Sequence, residues 1–164
     1  MGYLVMKRAA QLQPLSRQHH LGLNISRHAK ECTDEPKETA KHWLSLVSYI
    51  KEMQSHFQIE DNLIAKALRP YSISKPDVAL ALSALDKQHK TLHILMSEVE
   101  GSSQHQSNQV TATQVKKLAT LLYDHIRFEE RELFPLVESY LTKEELNAIY
   151  AAIPDSIKRS DENR

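Results

Sequence analysis

The chain has 164 residues, of which 41% are hydrophobic and 26% charged, and it contains only three glycines. This composition predicts one helical globular domain and excludes a disordered chain. The formal net charge of zero argues against a nucleic-acid partner, and a lone cysteine excludes an intrachain disulfide. No apolar run approaches the length that spans a membrane, so we expect no membrane association. The lone cysteine fits a reducing compartment, so we expect a cytoplasmic protein.

Apolar residues recur at helical spacing in four long segments of the chain. The predicted helices cover about residues 15–30, 37–68, 75–100 and 111–137, after an irregular lead-in at residues 1–13. A turn at Thr33–Pro36, the pair Arg69-Pro70 and a polar loop that begins at Gly101 separate them. Pro135 has no N–H, so we expect it to kink the last turns of the fourth helix.

A capping box at Thr142–Glu145 predicts a short fifth helix at Lys143–Ala152, followed by a frayed tail. Short connections between long amphipathic helices favour antiparallel neighbours. We therefore predict an all-α fold, an up-down-up-down antiparallel four-helix bundle with a short C-terminal fifth helix. Residues 1–164 would form a single domain, with the bundle at about 12–140 and the short helix and tail at 141–164.

Two sequence patterns each occur twice, with the copies about 70 residues apart. Leu15-Ser-Arg-Gln-His19 matches Leu85-Asp-Lys-Gln-His89, and His56-Phe-Gln-Ile-Glu60 matches His125-Ile-Arg-Phe-Glu129. A His and a Glu four residues apart lie on the same face of a helix, here beside apolar residues. The pattern indicates a duplicated two-helix unit whose His and Glu side chains converge on one place.

A lone histidine on an apolar helix face is normally a core residue rather than a ligand. Matching histidines on four helices, two of them with a glutamate one turn later, favour a metal site instead. Imidazole and carboxylate together suit iron, manganese or zinc. His93 lies one turn after His89, so we include it, and His20 remains an alternative to His19. The predicted metal ligands are His19, His56, Glu60, His89, His93, His125 and Glu129.

The remaining polar candidates are predicted to face solvent. His28 lies half a turn from His19, His42 is too far along its helix from His56, and His105 lies in the polar loop. We also assign Asp61, Glu130 and Glu132 to a solvated face, and we give Cys32 no role.

The order His19, His56-x-x-x-Glu60, His89-x-x-x-His93 and His125-x-x-x-Glu129, followed by Leu133-Phe-Pro135, resembles the hemerythrin-like (HHE cation-binding) family. The resemblance covers about residues 12–140. It implies a four-helix bundle that holds a di-iron centre bridged by two carboxylates and an oxygen atom. By this resemblance, one iron would be bound by His89, His93 and His125, the other by His19 and His56, and Glu60 and Glu129 would bridge both.

Two departures within the family concern function. The oxygen-carrying hemerythrins place an Asp five residues after the last His, where this chain has Glu130, whereas Glu129 at four residues matches the wider family. Some of that wider family also lack the second His of His-x-x-x-His, which this chain keeps.

The first functional hypothesis is a protein with two iron ions that binds or senses O2 or a related small molecule such as NO. The second is a di-iron redox enzyme that reduces peroxide or NO, or an iron donor for the repair of iron centres. The third is a metal-storage protein or a structural zinc site. The sequence does not decide whether the protein is an enzyme, although a non-enzymatic role is favoured, and it does not identify a protein partner.

Overall fold

The structure is a computed structural model that describes residues 8–103 and 110–162, with side chains at 8–97 and 110–158. The described residues form helices and turns, with no strand among them. The α-helices are α1 (Gln13–Ala29), α2 (Pro36–Glu52), α3 (Gln54–Ile59), α4 (Ala65–Leu68), α5 (Pro76–Ser103), α6 (Ala112–Phe128), α7 (Phe134–Tyr140), α8 (Lys143–Ala152) and α9 (Asp155–Glu162).

The second and fourth predicted helices are each interrupted by one π-helical turn. These turns cover Glu60–Ile64 and Glu129–Leu133. The N–H of Ala65 bonds the carbonyl of Glu60, and that of Phe134 bonds the carbonyl of Glu129. Continuous α-helices were therefore the wrong prediction here, because apolar periodicity does not reveal a single added residue. Turns of this kind are frequent at functional sites, and both begin at a predicted ligand.

The ends of the helices differ from the sequence prediction at two places. Helix α5 continues through Gly101 to Ser103, so Gly101 does not end it. His105, which we assigned to the polar loop, lies outside the described residues. The tail expected to fray is helical as α9, and Ile157 packs against buried apolar side chains. The capping box of α8 is confirmed, since Thr142 accepts the Glu145 N–H and Glu145 accepts the Thr142 N–H.

Helix α1 contacts α2 and α6, and α6 also contacts α2 and α5. Their buried apolar residues form two clusters. The first apolar cluster lies around Leu46, Ile50, Leu92, Leu118 and Leu122. The second lies around Leu15, Ile64, Leu85, Leu133 and Phe134, and α8 and α9 pack against it.

A buried polar layer separates the two apolar clusters along the chain. On α1, His19 follows Leu15 of the second cluster, and on α5 His89 lies between Leu85 of the second cluster and Leu92 of the first. His56 and His125 likewise lie between residues of the first cluster and residues of the second along their segments. The fold therefore places six of the seven predicted ligands inside the protein and away from water. No helix in the described ranges has both the length and the apolar character needed to cross a membrane.

Candidate metal centre

Six of the seven predicted ligands come together in this polar layer. Each is at most 5% exposed. They form two overlapping groups, and within each group the candidate ligand atoms lie within 4.8 Å of one another. We call them the His19 end, formed by His19 and His56, and the His89 end, formed by His89 and His125. Glu60 and Glu129 belong to both ends.

Each shared carboxylate directs one oxygen to each end. Glu60 Oε2 lies 2.7 Å from Nε2 of His56, and its Oε1 lies 3.0 Å from Nε2 of His89. Glu129 Oε1 lies 2.8 Å from Nε2 of His19, and its Oε2 lies 3.3 Å from Nε2 of His125. This is the arrangement that a carboxylate needs to bind one cation with each oxygen.

The other ring nitrogen of each histidine faces a side-chain oxygen. Because an oxygen that accepts a hydrogen bond requires the hydrogen on Nδ1, the neutral ring keeps its lone pair on Nε2. The four Nδ1 contacts are His19 to Glu130 at 2.6 Å, His56 to Gln18 at 2.9 Å, His89 to Asp61 at 3.0 Å and His125 to Gln88 at 2.6 Å.

When the rings are neutral in this form, the four Nε2 lone pairs face carboxylate oxygens, and two groups that only accept hydrogen bonds repel each other unless a cation or a proton lies between them. The buried atoms that lack a hydrogen-bond partner within the described part of the chain include Nε2 of His19, Nε2 of His125 and both oxygens of Glu129. A buried polar atom left without a partner costs about 1–3 kcal/mol. The residues present thus fit metal ions held by imidazole nitrogen and carboxylate oxygen.

The pKa shifts show what replaces a metal ion when none is bound. Burial by itself lowers the pKa of His19, but the neighbouring carboxylates of Glu129 and Glu130 outweigh it and raise that pKa to about 10. Burial also lowers the pKa of His89, and Glu60 with other acids raises it to about 9. Burial raises the pKa of Glu129, yet the neighbouring imidazoles, with His125 first, hold it well below its usual range. The raised pKa values of His19 and His89 favour protonated imidazoles beside these carboxylates when no metal ion is bound.

Sequence reasoning missed the four side chains whose oxygens contact Nδ1 of the buried histidines. The predicted solvated face is confirmed for Asp61, which is exposed, but it is wrong for Glu130, which is partly buried. The prediction also missed a contact of each acid, because each follows the first residue of a π-helical turn and its oxygen reaches a histidine on another helix. The duplication contained the signal. A glutamine precedes the histidine in both copies (Gln18 and Gln88), and an acid follows the glutamate in both. Glu132 is exposed, as predicted.

His93 does not join the other six ligands. Its side chain is exposed, and it belongs to neither group of candidate ligand atoms. The buried stripe of α5 runs through Leu85 and Leu92. Each residue turns the side chain by about 100° around the helix axis, so His93 is rotated by about 80° from Leu85 and about 100° from Leu92. The inward orientation predicted for His93 is therefore wrong, because a spacing of one turn from His89 moves the side chain further from the centre of the stripe.

The remaining histidines lie away from the centre where they are described. His20 is exposed while its neighbour His19 is buried, so His19 is the residue that faces Glu129. His28 is exposed, and His42 is partly buried with its Nε2 3.6 Å from Glu38.

Comparison with known proteins agrees with this geometry. A family model described as the hemerythrin HHE cation binding domain matches residues 10–137, which include all six converging residues. Searches of curated proteins and of solved structures found no match. The buried cluster of histidines and glutamates is where the chain can hold a metal ion. The chain belongs to the hemerythrin HHE cation-binding domain family, as its motifs predicted.

Proposed function

We propose that the centre holds two iron ions bridged by Glu60 and Glu129, and that the protein binds or senses O2 or NO. The observation that carries this proposal is the convergence of four histidine Nε2 atoms on two carboxylates, each of which directs one oxygen to each end. Two histidines at each end, with both carboxylates shared, suit two cations rather than one.

The order of the apolar clusters supports the antiparallel four-helix arrangement that we propose for the core. Along α1 and α5, residues of the second cluster come before the histidine. Along the segment from α2 to α4, Leu46 of the first cluster comes before His56, and Ile64 of the second cluster follows it. The segment from α6 to α7 has the same reversed order around His125. Alternation of this order along the chain is what an up-down-up-down bundle requires.

Two ferrous ions would supply the electrons and open coordination positions that O2 or NO needs. Residues of the chain orient the groups that would bind these ions. Gln18 and Gln88 orient two imidazoles through Nδ1, and the acids Asp61 and Glu130 orient the other two. The apolar clusters on both sides exclude bulk water, so a small uncharged molecule can enter where a larger polar one is disfavoured.

A redox enzyme that reduces peroxide or NO is the second candidate, and the exposure of His93 favours it. A fifth histidine ligand would occupy one more coordination position at one end than at the other and would leave fewer coordination positions open. With two histidines at each end, the ligand sets are equal and both ions would keep positions free for a reactant. The same nitrogen and oxygen atoms also suit zinc. The following experiment distinguishes bound zinc from bound iron.

Metal analysis and a visible spectrum, each with and without air, test the proposal. We expect about two irons per chain and a spectrum that changes when O2 or NO is added. Persistence of the oxygenated species would support binding or sensing, whereas rapid consumption of peroxide or NO over many turnovers would support the enzyme. A colourless protein with stoichiometric zinc would contradict both candidates.

A further inference from the structure

The acids that face the two ends of the centre are held unequally. Glu130 Oε2 lies 2.6 Å from Nδ1 of His19 and accepts the Ser16 hydroxyl at 2.8 Å. Asp61 Oδ1 lies 3.0 Å from Nδ1 of His89, and the residues with described side chains give Asp61 no second donor. The Asp61 side chain is 50% exposed, against 26% for Glu130. One acid is fixed in place, while the other is half in solvent.

Arg8 accounts for much of this difference. Its Nη1 donates to Glu138 Oε1 at 2.9 Å, and its Nη2 donates to the carbonyl of Glu130 at 2.8 Å. The guanidinium carbon also lies 5.4 Å from the centre of the Phe134 ring, which stacks on His19 at 5.6 Å. Arg8 thus holds the backbone of the acid and covers the ring that packs on the ligand.

The two copies of the duplicated unit explain why only one end is held in this way. Pro135 has no N–H, so the carbonyl of Glu130 stays free to accept from a guanidinium group. The matching position in the first copy is Lys66, which retains an N–H. Ser16 matches Asp86, whose carboxylate lies 2.9 Å from Lys90 and has no hydroxyl to donate. The difference is therefore present in the sequence.

We propose that Arg8 is a positioning residue that acts through Glu130, and that it makes the His19 end the slowly exchanging metal position. The His89 end is then the position from which a metal ion is lost first. This inference rests on the proposed two-metal centre. Release of an ion requires its imidazole to turn away, and a residue that fixes the imidazole slows that motion. Removal of such orienting partners typically costs 10–100-fold in metal affinity.

Release kinetics test this inference without any measurement of activity. The protein is loaded with ferrous iron in the absence of oxygen and mixed with an excess of a chromogenic ferrous chelator. We expect two phases of equal amplitude. Arg8→Ala should accelerate the slow phase by about tenfold or more and leave the fast phase unchanged. Arg8→Lys keeps the charge but does not span Glu138 and Glu130 together, so its slow phase should be intermediate.

Two further variants separate positioning from general stability. Asp61→Asn is the matched variant at the other end and should change only the fast phase. Ser16→Ala removes one donor to Glu130 and should accelerate the slow phase more mildly, which keeps the test valid if Arg8→Ala does not fold. A parent protein that binds two irons and releases them in one phase would overturn this inference alone, as would an Arg8→Ala variant that accelerates both phases alike. A parent protein that binds no iron would overturn the proposed function itself.

Discussion

The two copies of the duplicated unit agree at the centre and differ around it. In each copy, the glutamine on the first helix contacts Nδ1 of the histidine on the second helix of that copy. The acid that follows the glutamate contacts Nδ1 of a histidine in the other copy. The positions that differ surround these residues. The matched pairs are Ser16 and Asp86, Lys66 and Pro135, Gly22 and Leu92, and Tyr49 and Leu118. In our proposal, the shared residues provide the ligand set, and differing residues such as Ser16 and Pro135 determine how firmly each end is held.

The largest expected effect comes from the carboxylates that both ends share. Glu60→Ala and Glu129→Ala each remove an oxygen from both ends, so the iron content should fall from about two per chain to one or none. The loss should be similar in the two variants, because the two copies are equivalent at the centre. Metal analysis of the purified variants measures this.

The matched control for these variants is His42→Ala. His42 is a partly buried histidine that pairs with Glu38 at 3.6 Å and lies outside both ligand groups. Its replacement should leave the iron content unchanged. Two irons retained in Glu60→Ala, or iron lost in His42→Ala, would show that the centre is not the one described here.

Removal of the metal should have the second largest effect, a loss of stability. Ions that bind only the folded state stabilise it by about 2.7 kcal/mol at a free concentration of 100 Kd and about 4.1 kcal/mol at 1,000 Kd. Chelation should therefore lower the melting temperature of the parent protein. The same treatment should have little effect on Glu129→Ala, which serves as the control. Identical melting curves for the loaded and stripped parent would contradict this expectation.

The metal-free and loaded proteins should respond to pH in opposite directions. Without metal, the pKa values of His19 and His89, about 10 and about 9, lie above the ordinary value of 6.5. Their contribution to stability is complete below about pH 6.5 and is lost as the pH rises through 9 and 10. The loaded protein needs neutral imidazoles, so it should release metal as the pH falls.

Denaturant unfolding of the metal-free protein between pH 6 and 10 checks the first half of this prediction. The free energy of unfolding should fall as the pH rises, and His19→Gln should reduce the slope. Metal content measured after dialysis at decreasing pH checks the second half. A metal-free protein that gains stability toward pH 10 would contradict the assignment of protons to the imidazoles.

The smallest effect concerns a packing difference between the copies. A Cβ on Gly22 would lie 2.5 Å from Cζ and Oη of Tyr49 and 2.6 Å from Cδ1 of Ile126. Gly22→Ala should therefore cost about 1–3 kcal/mol. Because the Tyr49 hydroxyl donates to the carbonyl of Gln18 at 2.9 Å, and Gln18 holds His56, metal affinity should fall as well.

The second copy suggests the control for this variant, because it has two leucines where the first has Gly22 and Tyr49. Gly22→Ala combined with Tyr49→Leu should be less destabilised than the sum of the single changes. Urea unfolding of the four proteins in this cycle measures the coupling. Strict additivity would indicate that the two side chains do not compete for space.

The helices and the six converging residues could be predicted because they depend on periodicity and on a repeat within one sequence. His93 could not, since its orientation depends on where the buried stripe of α5 is centred, and a spacing of one turn leaves that open. The contacts of Glu130 depend on a π-helical turn and on Arg8, which is more than a hundred positions away in the chain. Helical patterns within one segment carry no information about such distant partners.

The most direct test of the two-metal centre is a crystal structure of the iron-loaded protein with anomalous diffraction data collected at the iron edge. We predict two peaks, one at each end of the pair Glu60 and Glu129. Each peak should contact Nε2 of two histidines, His19 and His56 at one end and His89 and His125 at the other, with His93 at neither. A single peak, or iron bound through Nδ1 or at His93, would contradict this prediction.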